Sequence, residues 1–414
     1  MSDNPRQIYL FKTLGLSHDP FDGPVAEQEL HHIDKEPYFF SYYTDLKDPN
    51  SSEPLVQVLR KACTGLIFGR PGSGKTTLRY TLEADCRSVY YNRTLIVNYE
   101  LSHKMVRLAT AEELWLKMAQ ELAIDLFIQV IEQLDTFETP TELQKQHLRS
   151  QMALVWPRLR RTVGLILEDD FSDRKNGLAS LWPRLNRPAV RHINPSSKIK
   201  DLIKDCLPKE TKTPEKVEKV ISTSLSSQEF INSGQALVEA GIAAAKAWGF
   251  EQIFVLVDGI DAYERDVDTM LALISPLLTH LEYWQLRDLF FYFFLTIDVQ
   301  QPLMKLYGET LHQLPSPLFS YTIEWNKSML TQLLQRRLQA AGSHITSFNA
   351  LAEDDFEDDL EDRLIKAAGN SPRQLLNLVS ALIDAHAQHA PKKPLITTED
   401  WRQMQQSGIY ELVQ

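Results

Sequence analysis

The sequence predicts an α/β fold: a five-stranded parallel sheet with helices packed on it, a long helical insert, and a helical lid domain at the C-terminal end. Three observations carry that expectation. Short apolar, β-rich runs recur at Leu66–Phe68, Leu95–Tyr99, Ile253–Val257, Leu289–Leu295 and Phe319–Trp325. Helical apolar spacing fills the intervals between them, as parallel βαβ crossovers require. The first run leads into a glycine-rich loop and then a helical pattern over Thr76–Ala84.

That loop is the most informative segment of the chain. Gly69-Arg70-Pro71-Gly72-Ser73-Gly74-Lys75-Thr76-Thr77 fits the GxxxxGK[ST] pattern in the strand–loop–helix setting that the pattern needs. Glycines 69, 72 and 74 free backbone N–H groups to turn inward around a phosphate, with no Cβ in the way. The following helix presents its positive end to the anion. Lys75 is placed to reach the β- and γ-phosphates, and the Thr76 hydroxyl to ligate Mg²⁺. In a chain of this length the four fixed positions coincide by accident about one time in a hundred. The expected ligands are therefore ATP or ADP with Mg²⁺.

A phosphate loop needs a carboxylate on a second strand, on the metal side. The run Ile253–Val257 ends in Asp258-Gly259-Ile260-Asp261, which makes Asp258 the candidate metal ligand, acting through water. Asp261 or Glu264 is then the candidate for orienting the attacking water. Asp258-Gly259 also reads as a plain strand-ending turn. Thr296, ending the fourth run, is either a polar sensor of the phosphates or a strand-capping threonine. The acids Glu168–Asp170 follow an Arg-rich segment of helical period and are set aside. His31-His32 reads as a helix end, and the acidic run Glu353–Asp362 as a solvated helix face.

The organisation follows from these landmarks. Residues 1–60 form an entry segment expected to pack near the nucleotide. Its aromatic cluster, Tyr38-Phe39-Phe40-Ser41-Tyr42-Tyr43, is either a buried flap or a cover for the base. Residues 61–325 form the core, with a helical insert over about 103–235. Lys75 and Asp258 stand 183 positions apart, and much of the interval has helical apolar spacing: Ala111–Leu134, Thr141–Leu154 and Gln235–Trp248. A less regular basic stretch lies around 156–215. Between Trp156 and Lys204 there are 11 Lys/Arg against 5 Asp/Glu. Within it Trp156-Pro-Arg-Leu-Arg-Arg161 is echoed by Trp182-Pro-Arg-Leu-Asn-Arg187. Such Trp/Arg pairs stack on bases, anchor a partner, or sit as core tryptophans beside solvated arginines. Residues 326–414 form the lid: a helix at Met329–Leu338, the acidic helix, a start at Ser371-Pro372 that puts Arg373 in a first turn, and helices at Ser380–His389 and after Thr397.

Composition narrows the function classes. A net charge of −11 excludes a global polyanion binder, so region 156–204 is the one candidate nucleic-acid contact. The longest apolar run, Leu289–Ile297, is about half of the roughly 20 residues that cross a bilayer. Three dispersed cysteines and an N-terminus without a signal-peptide pattern lead to a cytoplasmic expectation.

The segments GRPGSGKTT, VLVDGID and GNSPRQLLNL resemble the Walker A, Walker B and sensor 2 motifs of AAA+ ATPases. Asp258-Gly-Ile-Asp261 is similar to the form in signal-transduction (STAND) NTPases. Gly369–Arg373 is similar to the form in origin-recognition-like ATPases. Asp19-Pro-Phe-Asp-Gly-Pro-Val-Ala-Glu27 looks like the lead-in of bacterial defence and mobile-element ATPases. The resemblance implies that Arg373 contacts the γ-phosphate and couples its loss to lid movement. It covers about residues 15–390, apart from the insert.

Two departures shape the expected activity. An AAA+ protein usually offers an arginine finger between the fourth and fifth strands, yet Ile297–Leu318 contains Lys305 and no arginine. The acidic pair is spread over Asp258 and Asp261 instead of adjacent. The expectation is a slow ATPase that acts as a switch through a protein partner or homo-oligomer. The alternatives are a nucleic-acid-dependent ATPase using the insert, and a nucleotide-binding scaffold without turnover.

Overall fold

A computed structural model describes residues 4–23, 25–31, 36–47, 52–87, 93–101, 110–137, 139–167, 196–208, 233–262, 266–342, 344–354, 356 and 358–406. The chain divides into two compact units. One comprises Val56–Phe68 and Leu82–Tyr321; the other comprises Met1–Leu55, Gly69–Thr81 and Thr322–Gln414.

The first unit is built on the expected five-stranded, all-parallel sheet. Its strands are β1 (Thr64–Gly69), β2 (Thr94–Glu100), β3 (Gln252–Asp258), β4 (Leu289–Thr296) and β5 (Leu318–Thr322). Their order across the sheet is β2-β3-β4-β1-β5. Every residue of β1 and β4 is buried, which is why those runs read as continuously apolar instead of alternating. β5 is shorter than the expected Phe319–Trp325: it stops at Thr322, and Ile323–Trp325 leave the sheet. The order fixes where a ligand can collect. The crossover from β1 runs to the far edge at β2, whereas β2→β3→β4 steps back and β4→β5 passes over β1. The direction therefore reverses at β1, and ligand sites of α/β sheets form at the carboxyl end of such a switch point.

The helical insert is part of this unit's core. Helix Ala111–Glu132, opened by a capping box between Thr110 and Glu113, is buried almost all round. Its polar residues explain how it can lie against a strand edge. Gln129 accepts from the Ile96 N–H (3.2 Å) and donates to the Ile96 carbonyl (2.7 Å). Asp125 accepts from the Asn98 N–H at 2.8 Å, and Lys117 donates to the Glu100 carbonyl. Four residues of helix rise about 6.0 Å and two residues of strand about 6.6 Å. The step from 125 to 129 along the helix thus tracks that from 98 to 96 along β2, the long side chain of Lys117 reaches Glu100 from two turns further on, and the helix acts as a surrogate neighbour for the sheet edge. Gln129→Leu strands a buried N–H and a buried carbonyl together. A loss of about 2–4 kcal/mol in urea unfolding is expected, with Gln129→Glu falling between that and wild type.

The stretch expected to be irregular contains two regular helices, Trp156–Leu167 and Ser197–Cys206. Both are amphipathic, with Leu159, Val163 and Ile166 of one and Ile199, Leu202 and Ile203 of the other joining the core. Trp156 packs partly buried against that core. The Trp182 echo and the acids Glu168–Asp170 lie outside the described residues.

Cys63, Cys86 and Cys206 are buried and free. Burial pushes the Cys86 thiol up to about 12 and the Cys206 thiol up to about 11, and it raises Cys63 as well. Native thiols therefore stay protonated at pH 8.5, while those of the unfolded chain begin to ionise. Iodoacetamide at pH 8.5 is expected to label none of the three in minutes in the native protein and all three in urea. Their linkage lowers stability as pH rises above about 9, where the unfolded chain releases protons first.

The second unit joins both ends of the chain. Helices Lys327–Ala340, Leu360–Ala367, Pro372–His389 and Thr398–Gln406 share one core with Tyr9, Leu10, Leu16 and Phe21 of the entry segment. Arg6 bridges Asp19 and Asp384 and donates to the Ser380 carbonyl. Buried Arg337 pairs with Glu29 (2.7 Å) and lies over the Tyr42 ring. In the aromatic cluster Phe39, Tyr42 and Tyr43 are buried, and Phe40 is exposed. The two helices expected to meet near Ser380 are one, Pro372–His389, because no Gly or Pro interrupts the apolar stripe Leu375–Ile383. The acidic run is not simply a solvated face: Glu361 is buried and accepts from Ser347 Oγ and the Phe348 N–H. His31 closes helix Ala26–His31, and His32 lies outside the described residues.

Candidate functional site

β1 ends at Gly69, the chain turns through Arg70–Gly74, and helix Lys75–Arg87 begins at once. Gly72 and Gly74 adopt φ of +77° and +90°, a region closed to most side chains. The Ser73 N–H closes a turn onto the Arg70 carbonyl at 3.1 Å, and the Leu78 N–H reaches the Gly74 carbonyl at 2.9 Å. No acidic residue stands in the first turn of the helix, so none of its own side chains cancels the positive end of the dipole.

The three loop glycines are also sites of close approach. A Cβ at Gly69 would stand 2.3 Å from Ser73 Oγ, and one at Gly72 would stand 2.8 Å from Arg373 Cβ. One at Gly74 would touch the Trp325 ring at 3.9 Å. The Lys75 ammonium is buried and donates to the carbonyls of Gly69 (2.9 Å) and Arg70 (3.3 Å). Ser73 Oγ is buried with no hydrogen-bond partner. A buried cation, an orphan hydroxyl and a side-chain-free cradle form a donor set suited to a polyphosphate. Thr76 and Thr77 follow, half-buried, in the first turn of the helix.

Arg373 arrives from the second unit's long helix. Ser371 caps that helix by accepting from the Gln374 N–H, and Pro372 occupies its first position. Gly369 and Asn370 supply the left-handed turn before it, with φ of +56° and +64°. This entry lays the Arg373 stem along Gly72, as near as 3.2 Å for Cδ and 3.3 Å for Nε to the position of a Gly72 Cβ. Residues 301 positions apart in sequence, Gly72 and Arg373, thus meet at the loop.

Asp258 ends β3 and is buried; its Oδ1 accepts from the Gly259 N–H at 2.8 Å, which holds the turn. Gly259 has φ +76°, and Asp261 follows half-buried in the same turn. Glu264 lies outside the described residues. Thr296 donates to Asp298 Oδ2 at 3.2 Å, so its hydroxyl serves a local turn. Among the described residues no group of three His, Cys, Asp or Glu side chains is gathered for a metal. Mg²⁺ at phosphates takes one or two protein oxygens with waters and phosphate oxygens, and the Thr76 hydroxyl and the Asp258 carboxylate are each of a ligand type that Mg²⁺ accepts.

Two features of these segments were not legible beforehand. Trp325 read as the end of the fifth strand, but it leaves the sheet and donates its indole N–H to the Ser73 carbonyl at 2.8 Å. Glu100, which closes β2, stands in direct register with Asp258. The signal for Glu100 was its place directly after the run Leu95–Tyr99.

Within the basic region Arg158 pairs with Glu121 and Lys198 with Asp135. Ahead of it in sequence, Lys145 and Arg149 both face Asp205, through its carboxylate and its carbonyl respectively. No helix among the described residues is long and apolar enough to cross a membrane.

No protein-family model matches the chain, and no curated protein or solved structure matches it significantly.

Proposed function

We propose that the protein binds ATP with Mg²⁺ at Gly69–Thr77 and hydrolyses it slowly, as a nucleotide-dependent switch in the manner of AAA+ and STAND ATPases. The observation that supports this best is the pairing of the glycine turn and buried Lys75 with Arg373 laid against Gly72. In this reading the loop amides and Lys75 hold the β- and γ-phosphates, and bound Mg²⁺ would neutralise charge that develops between them. Thr76 and Asp258 hold the metal side, Asp258 through water. Asp261 orients the attacking water, with Glu100 as the nearest further carboxylate by register.

Arg373 acts on the lid side. A guanidinium on the γ-phosphate would tie the Pro372–His389 helix to the triphosphate state, and loss of that phosphate would release it. Through the shared core, the entry segment would respond with the helix. The output would pass to a protein partner or a second copy. The test is phosphate release from ATP·Mg²⁺ by the purified chain, together with its size by light scattering with ADP and with a non-hydrolysable ATP analogue. Turnover and a nucleotide-dependent size support the switch. Binding without turnover supports the scaffold reading. Stimulation by DNA that vanishes with salt supports the nucleic-acid reading.

A further inference from the structure

We infer that Trp325 is a positioning residue of the phosphate cradle, fixing the orientation of the Ser73–Gly74 peptide so that the Gly74 N–H is aimed at the β-phosphate. The inference rests on the reading of Gly69–Thr77 as a nucleotide site. Its basis is a single well-formed contact in an exacting place: the indole N–H donates to the Ser73 carbonyl at 2.8 Å. The Ser73–Gly74 peptide is trans, as are the others among the described residues, so the carbonyl of Ser73 and the N–H of Gly74 point in opposite directions from one plane. Holding the carbonyl toward Trp325 directs the N–H away from it.

Gly74 needs that hold. With φ of +90° and no side chain, its peptide has alternatives that residues with a Cβ lack. The Trp325 ring lies in van der Waals reach of Gly74, and Ile323, two residues earlier, lies 3.5 Å from where a Gly69 Cβ would stand. The segment that leaves β5 thus backs the loop at both ends. A hydrogen bond to a peptide carbonyl also polarises the peptide, by about 10–30% per bond, which makes the opposite N–H a better donor to an anion. Two residues later the chain enters helix Lys327–Ala340, so the lid and the cradle are joined through this side chain.

Trp325→Phe keeps the aromatic packing and deletes the donor. ADP and AMP, each with Mg²⁺, are titrated into the full chain and into the variant by calorimetry. Losing one neutral hydrogen bond that orders a donor is expected to weaken ADP about 5–15-fold. AMP, which lacks the β-phosphate, should weaken less than about 2-fold. The ratio of the two affinities is the readout that general loosening of the fold would not move. Equal weakening of both nucleotides, or no change in either, overturns the inference. If the wild-type chain binds neither nucleotide, the reading of the loop itself fails. A second measurement needs no variant: in the chain labelled with ¹⁵N-tryptophan, one indole N–H resonance should shift with ADP and not with adenosine. No indole shift with bound ADP would contradict the assignment.

Discussion

Lys75→Ala is expected to abolish measurable ATP binding, a loss of more than about 100-fold. The ammonium is buried among backbone carbonyls, so its charge is screened little by water. Removing one partner of a buried, hydrogen-bonded charge pair costs about 2–5 kcal/mol, and every 1.4 kcal/mol is tenfold in affinity. The same substitution removes the donor shared by Gly69 and Arg70, which lets the loop relax. Thermal melting separates the two effects. A midpoint within a few degrees of wild type assigns the loss to the ligand, and calorimetry with ATP·Mg²⁺ measures it. ATP bound by Lys75→Ala as tightly as by wild type would place the nucleotide elsewhere.

Asp258→Asn is expected to bind ATP within about threefold of wild type and to lose turnover by about 10²–10³-fold, the range found when one preorganised electrostatic group is removed from a transition state. Asn is the informative choice. Its amide oxygen can still accept from the Gly259 N–H, so the turn after β3 keeps its 2.8 Å hydrogen bond. What disappears is the negative charge on the metal side. Phosphate release at saturating ATP and Mg²⁺ is the measurement. An unchanged rate would remove Asp258 from the mechanism and leave it as the strand-ending turn that Asp-Gly so often forms. Glu100→Gln in the same assay asks whether the register neighbour carries part of the load.

The sheet was legible because buried parallel strands are apolar on both faces, and runs such as Leu289–Leu295 have no other easy reading. The glycine-rich turn was legible because backbone of positive φ, as at Gly72 and Gly74, demands particular residues at fixed positions. The sequence was less informative where one side chain serves a distant backbone. Gln129 and Asp125 sit in the buried part of a helix, among apolar residues, and nothing local says that their partners are the edge groups of β2. Trp325 continued the β-rich pattern of its strand, so its departure to the Ser73 carbonyl left no periodic trace. The basic stretch misled in a different way. Its prolines and arginines hid two short amphipathic helices whose few apolar positions pack, buried or partly buried, against the core. Arg373 was found through a motif, while its contact with Gly72 depends on the left-handed turn at Gly369-Asn370.

The central claim is that the loop from Gly69 to Thr77 holds a nucleoside triphosphate, and calorimetric titration of ATP into the wild-type chain, with and without Mg²⁺, tests it most directly. One site per chain, tightened by Mg²⁺ and absent in Lys75→Ala, is the expected result. No binding of ATP or ADP at millimolar concentration would contradict it.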